Sequence, residues 1–264
     1  MLGSMFSSGQ LAYPTLGLLV GFLVGLTGVG GGSLMTPLLV LLFGIHPTTA
    51  VGTDLLYAAA TKMAGTFMHN ASHTVDWRIV RRLAAGSVPA TALALAVLHF
   101  TGSQSSAVSH VVTLVLGVAL LLTAIATLFR GWVVRQMRAR FGEPSEANAA
   151  LLTVASGVVL GILVSISSVG AGAIGVTALI LLYPETPLVR IIGSDIAHAV
   201  PLTLLAGLGH WAMGDVNWAL CGSLLMGSIP GIVIGSLVAP RLPEPGLRPL
   251  LASVLLVVGG KLVF

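Results

Sequence analysis

The chain has 264 residues, of which 8% are charged and 56% are hydrophobic, and its mean hydropathy is +1.03. Soluble domains carry about 25% charged residues, so this composition excludes a soluble globular protein and indicates an all-α polytopic protein of the membrane. The net charge of +4 does not indicate nucleic acid as a partner, because the arginines fall in short loops between apolar runs.

At the N-terminus, "MLGSMFSSGQLAYPTLG" has no basic region and no small-residue cleavage site, so no removable signal peptide is expected. At about 20 apolar residues per crossing, long helices are predicted at 11–28, 50–68, 83–100 and 108–129, then at 149–167, 191–210, 218–239 and 247–264. Two shorter apolar segments, 34–43 and 173–183, are only about half the length of a crossing. The first membrane repeat is read as 1–130, a polar cytoplasmic link as 131–148 and the second repeat as 149–264.

The halves match in register. Gly21, Leu23, Val24, Val29, Gly30 and Gly32 recur 140 positions later as Gly161, Leu163, Val164, Val169, Gly170 and Gly172. At an offset of 141, Gly52, Asp54, His69, Trp77, Gly86, Ser87 and Pro89 recur as Gly193, Asp195, His210, Trp218, Gly227, Ser228 and Pro230. Shared hydrophobicity would match leucines but not Asp, His, Trp and Pro, so the chain is read as a tandem duplication.

The loop with Arg78, Arg81 and Arg82 and the link with Arg130, Arg135, Arg138 and Arg140 are basic and expected to be cytoplasmic, as is the loop with Arg241 and Arg248. The repeat-mate of the Arg78 loop, "GHWAMGDVNW", carries no basic residue. Equivalent loops then face opposite sides, which implies inverted repeats with both termini outside. Each long-plus-half pair is expected to turn back as a hairpin or to cross twice.

The string "TGVGGGSLMTP" lies where a long helix ends and a half-length one begins, and "VGAGA" occupies the mirror position. Glycine admits positive φ and lets a ligand reach backbone N–H groups. The short helix that follows presents its positive end, which favours an anion. Candidate substrate-binding residues are Thr27, Gly30, Gly31, Gly32 and Ser33 in the first half, and Ser167, Ser168, Gly170, Ala171 and Gly172 in the second. Close helix packing is the bland alternative. Ala171 and the missing proline predict a less sharp break in the second half.

Asp54 and Asp195 follow Gly52-Thr53 and Gly193-Ser194. Each could couple an ion or cap the start of its helix, and both readings stand. Lys62, whose repeat position is Thr203, lies two turns beyond Asp54 and is read as interior. His198, one turn after Asp195, could relay protons or form a helix–helix hydrogen bond. His69 and His210 are expected at the interfaces, with Trp77 and Trp218 as belt residues. The other histidines and the lone Cys221 show no metal-ligand spacing, so no metal and no cofactor are expected.

Across nearly its whole length the chain resembles the TauE/SafE sulfite-exporter family. The resemblance rests on "GLTGVGGGSLMTPLLVLLFGIHPTTAVGTDLL", "GTFMHNASHTVDW", "GSVPA", "GSD", "GHWAMGDVNW" and "GSIPGIVIGS". It implies a secondary transporter of the cytoplasmic membrane that exports a small sulfur-containing anion such as sulfite, sulfoacetate or another organosulfonate, by alternating access. The expected partners are that anion, the lipid bilayer and protons as a candidate coupling ion, for a monomer or homodimer. A passive anion channel, or a transporter of another small anion, is the alternative; no nucleophile motif suggests an enzyme.

Overall fold

A computed structural model describes residues 8–27, 32–71, 73–141, 144–238 and 244–264. They form ten helices: α1 (Ser8–Thr27), α2 (Gly32–Phe43), α3 (Pro47–Ala71), α4 (Trp77–Thr101), α5 (Ser106–Phe141), α6 (Glu146–Ser167), α7 (Ala173–Leu182), α8 (Leu188–Ala212), α9 (Trp218–Val238) and α10 (Glu244–Val263). No strand occurs among the described residues. Five of the helices are long and apolar enough there to cross a membrane, and α2 and α7 are the two half-length ones.

Large apolar side chains cover the outside, among them Leu42, Phe67, Phe100, Leu151 and Met226. Such a surface is stable against lipid and not against water. Trp77 and Trp218 also face outward. The predicted link is mostly helical, because nothing between Arg130 and Phe141 breaks the helix and α5 simply continues through it. α6 then starts afresh at Ser145, whose side chain accepts from the Asn148 N–H.

Packing couples the two halves reciprocally. α1 packs along α9 and α4 along α6, while α3 packs on α8 and α5 on α10. Glycines set the closest approaches, and they do so in repeat-matched pairs. A side chain on Gly86 would strike the Val154 carbonyl, and one on Gly227 the Pro14 carbonyl. Gly157 meets Leu83 as Gly17 meets Leu224, and Gly161 meets Ser87 as Gly21 meets Ser228. Removing the side chain lets two backbones approach without strain, which is how small residues drive helix association in lipid. The repeat-mates α3 and α8 lie antiparallel, since Gly52 abuts His210 and Asp215 while Gly207 abuts Leu56.

The loops gather at two ends. At one, Arg78 pairs with Glu146 at 2.8 Å, Arg82 donates to the Tyr183 hydroxyl at 3.1 Å, and Arg138 donates to the Ile180 carbonyl at 3.2 Å. At the other, Ser103 and Gln104, between α4 and α5, meet Asp215, between α8 and α9.

Candidate functional site

The second helix break is well formed. α6 ends with Ser168 in the left-handed region at φ 59°, and Gly170 and Gly172 follow at φ 125° and 122°. Only glycine takes the latter conformations without strain. The turn is made by backbone handedness, and a proline is not needed, while the first break, at 28–31, lies outside the described residues. Pro37, by contrast, sits inside α2 without ending it.

The hydroxyls at this break divide. Ser167 Oγ donates to the Leu163 carbonyl at 2.7 Å and accepts from the Val169 N–H at 3.2 Å, so it holds the turn and is not offered to a ligand. Ser165 likewise bonds the Gly161 carbonyl. Ser168 Oγ is buried and faces Asp54 without meeting hydrogen-bond geometry. Ala171 and Gly172 lead into the start of α7. In the first half Gly30 and Gly31 lie outside the described residues, and of Thr27, Gly32 and Ser33 only the helical position, ending α1 or opening α2, is described.

Asp54 and Asp195 are buried, at 0% and 2% exposure. Each sits about two turns inside its own helix, past the first turn where a cap acts. The capping alternative is thereby overturned. What the carboxylates face is the half-helix of their own repeat. Thr36 Oγ1, on α2, donates to Asp54 Oδ2 at 2.5 Å. Asp195 lies against the start of α7, where a side chain on Gly175 would collide with its Oδ1, and the Gly172 N–H is directed at it. One oxygen of each carboxylate, Oδ1, is buried without a hydrogen-bond partner.

Lys62 joins them. Its charge acts on both Asp54 and Asp195, which come from different halves. His198 Nε2 bonds Ser87 Oγ on α4 at 2.8 Å, so the helix–helix bond expected of it is made, while Nδ1 is left unpartnered. The mirror of this pair was not anticipated. Tyr57 occupies the repeat position of His198, is fully buried, and turns its hydroxyl toward Ser228, the repeat-mate of Ser87. Those two hydroxyls face each other short of hydrogen-bond geometry. The 141-residue offset pointed to Tyr57, but an aromatic residue in an apolar helix reads as packing.

His210 corrects another expectation. It is fully buried, not interfacial. Its Nε2 faces the Ser165 carbonyl at 2.9 Å and its Nδ1 faces Asp215 Oδ2 at 3.2 Å. Two acceptors flank the ring, so both contacts are hydrogen bonds only when both nitrogens carry a proton. Asp215 Oδ1 also accepts from Ser103 Oγ at 3.0 Å and from Gln104 Nε2. Burial alone would raise the Asp215 carboxyl, but the hydrogen bonds from His210, Gln104 and Ser103 outweigh it and hold it below the ordinary value. No group of three or more His, Cys, Asp or Glu placed to hold a metal occurs among the described residues.

A helical bundle with lipid-compatible walls, half-length helices and buried charges contributed by both halves defines a polytopic membrane protein of the kind that moves small solutes. A sequence profile described as "Sulfite exporter TauE/SafE" matches residues 13–262, and the chain belongs to that family of membrane transporters. It is 41% identical over 250 residues to the "Probable membrane transporter protein YjnA" of Bacillus subtilis strain 168, covering 94% of this chain and 97% of that one. It is 26% identical over 256 residues to YdhB of the same organism, covering 93% and 97%. A "Probable membrane transporter protein" of Xylella fastidiosa strain Temecula1 is 28% identical over 225 residues, covering 85% of this chain and 82% of that one. No solved structure matches. The family and these names describe transporters, not enzymes.

Proposed function

We propose that this protein is a secondary transporter of the cytoplasmic membrane that exports a small sulfur-containing anion, sulfite or an organosulfonate, by alternating access between two inverted repeats. The observation that carries the reading is the pairing of each half-helix with a buried carboxylate of its own repeat, with Lys62 acting on both. Hydrogen-bond donors and a single ammonium beside these carboxylates suit an anion. Placing it at the starts of the two half-helices follows the design of transporters with discontinuous helices.

Inversion is supported by the antiparallel packing of α3 on α8 and by the reciprocal glycine contacts, together with the asymmetry of basic loops. The end carrying Arg78, Arg138 and Glu146 is assigned to the cytoplasm on that asymmetry, and both termini to the outside. The ligand seat comprises the starts of α2 and α7, with Ser168 as its hydroxyl. Asp54, Lys62, Asp195 and His198 are the coupling group.

The test is flux of radiolabelled sulfite, sulfoacetate, thiosulfate and sulfate in proteoliposomes, with and without an imposed pH gradient. Accumulation of sulfite or a sulfonate against its gradient is expected, and purely downhill flux would make the protein a channel. Gly31→Leu and Gly172→Leu, one in each break, are expected to abolish uptake. Unchanged flux in both would remove the breaks from the site.

A further inference from the structure

The geometry points to Asp195 as a built-in stand-in for the substrate: its carboxylate occupies the anion seat at the start of α7, and the transported anion enters only when Asp195 has taken up a proton. This deepens the transporter reading and rests on it.

Three observations carry it. First, the seat is shaped for a carboxylate-like group. Gly175 leaves the first turn of α7 open at the point where Asp195 Oδ1 lies, and Gly172, at φ 122°, turns its N–H toward the same group. A helix start answered by an anion is a stable arrangement, and here the anion belongs to the protein. Second, that oxygen is buried and has no hydrogen-bond partner, so the carboxylate fills the seat without being fixed in it. Asp54 differs, because the Thr36 hydroxyl holds it at 2.5 Å.

Third, the charges do not balance. Asp54 is faced by Lys62 and Tyr57 from its own helix, by Thr36 from α2, by Ser168 from the turn after α6 and by Cys221 from α9. Asp195 is faced by Lys62 from α3, by His198 on its own helix and by the backbone of α7. Two carboxylates therefore share one ammonium among the described residues. Buried charge without a counter-charge is costly, so a further anion enters this site only with a proton that keeps its net negative charge from doubling. A metal cation is the poorer remedy, since the Lys62 ammonium and the Gly172 N–H directed at the carboxylates cannot ligate one.

An entering monoanion would replace the Asp195 charge at the α7 start while the proton stays on the displaced carboxyl. The loaded site then keeps the charge it had when empty. A proton moves with each anion, and transport of a monoanion is electroneutral.

The test uses methanesulfonate, the anion of a strong acid, so any pH dependence belongs to the protein. The purified full-length protein is titrated with it calorimetrically and in weakly buffered solution with a pH indicator. About one proton taken up per anion bound is expected, with apparent affinity falling about tenfold per pH unit on the alkaline side. Asp195→Asn should bind at all pH values without proton uptake.

Binding without proton uptake in the wild type overturns the inference and leaves the transporter reading standing. So does binding that requires sodium, or proton uptake that survives Asp195→Asn. If Asp195→Asn does not fold, the wild-type proton stoichiometry still decides. No binding at any pH removes the sulfonate reading, and the inference falls with it.

Discussion

Two contacts at opposite ends of the bundle are copies of one another, yet their surroundings differ. The Asp76 N–H, at the start of α4, donates to Ser194 Oγ at 2.8 Å, and the Asn217 N–H, at the start of α9, donates to Thr53 Oγ1 at 3.0 Å. Asp76 and Asn217 are repeat-mates, as are Ser194 and Thr53. Around the first clamp the nearest ion pair is Arg190 with Asp76, at 3.9 Å and with both side chains partly in solvent. Beside the second lies the His210–Asp215 pair, with neither side chain exposed. The repeat-matched clamps share one frame, with a sealed polar pair beside one and a partly solvated pair beside the other.

The largest expected effect comes from breaking the sealed end. Asp215→Ala leaves His210 Nδ1 and Ser103 Oγ without their acceptor and Gln104 with only the Thr48 hydroxyl, and loss of one partner of a buried pair costs about 3–5 kcal/mol. Thermal unfolding in detergent should show a lower midpoint, and a wild-type midpoint would mean that the cluster is not a clamp. The pH dependence has a defined sign. The Asp215 carboxyl is held below its ordinary value when folded, so its contribution is present above the unfolded value and is lost as pH falls through the folded one. Asp215→Asn should remove that acid-side slope and leave stability near neutral pH less dependent on proton concentration.

The symmetric frame itself is tested by Gly86→Ala and Gly227→Ala. Each new methyl meets a backbone carbonyl, of Val154 or of Pro14, and a backbone in a packed helix cannot rotate away. Overpacking of this kind costs about 1–3 kcal/mol. The two variants should lose similar stability in the same unfolding assay. A large loss in one and none in the other would show that α4–α6 and α1–α9 are not equivalent interfaces.

A smaller effect is expected at the clamps. Thr53→Val and Ser194→Ala each remove one hydroxyl acceptor from a backbone N–H, for about 1 kcal/mol. Thr53→Val should be the more damaging, because its neighbours Asp215 and His210 are buried, whereas Asp76 can turn to water. Hydrogen exchange at the Asn217 and Asp76 amides reads each clamp separately, and equal acceleration would erase the contrast between the ends.

Much of this was legible beforehand. All ten helices lie where apolar runs of full or half length predicted them, because in lipid the length of a hydrophobic run sets the length of a helix. The paired Asp residues stood out for the same reason, since charge is rare in such runs. What the sequence left open was direction. Whether Asp54 and Asp195 cap their own helices or face the half-helix of their repeat depends on how α3 lies against α2 and α8 against α7, which no local pattern encodes. His210 and Asp215, five residues apart across a helix end, read as interface and loop, and only the approach of the Ser103 loop from α4 makes them a buried cluster. At the second break Gly170 and Gly172 carried a positive-φ signal, whereas the left-handed Ser168 did not.

The smallest expected effect is at Arg190. Arg190→Gln removes a pair whose charges are 3.9 Å apart and partly exposed, and such pairs contribute about 0–1 kcal/mol. The informative quantity is its salt dependence. Wild-type stability near this end should fall slightly as salt rises and screens the pair, and Arg190→Gln should abolish that slope without shifting the high-salt value. Asp215→Asn should behave in the opposite way, lowering stability at every salt concentration, because a buried cluster is poorly screened. If Arg190→Gln lowers stability as much as Asp215→Asn, and equally at low and high salt, the two ends are held alike. The difference between them would then lie in sequence alone and not in strength.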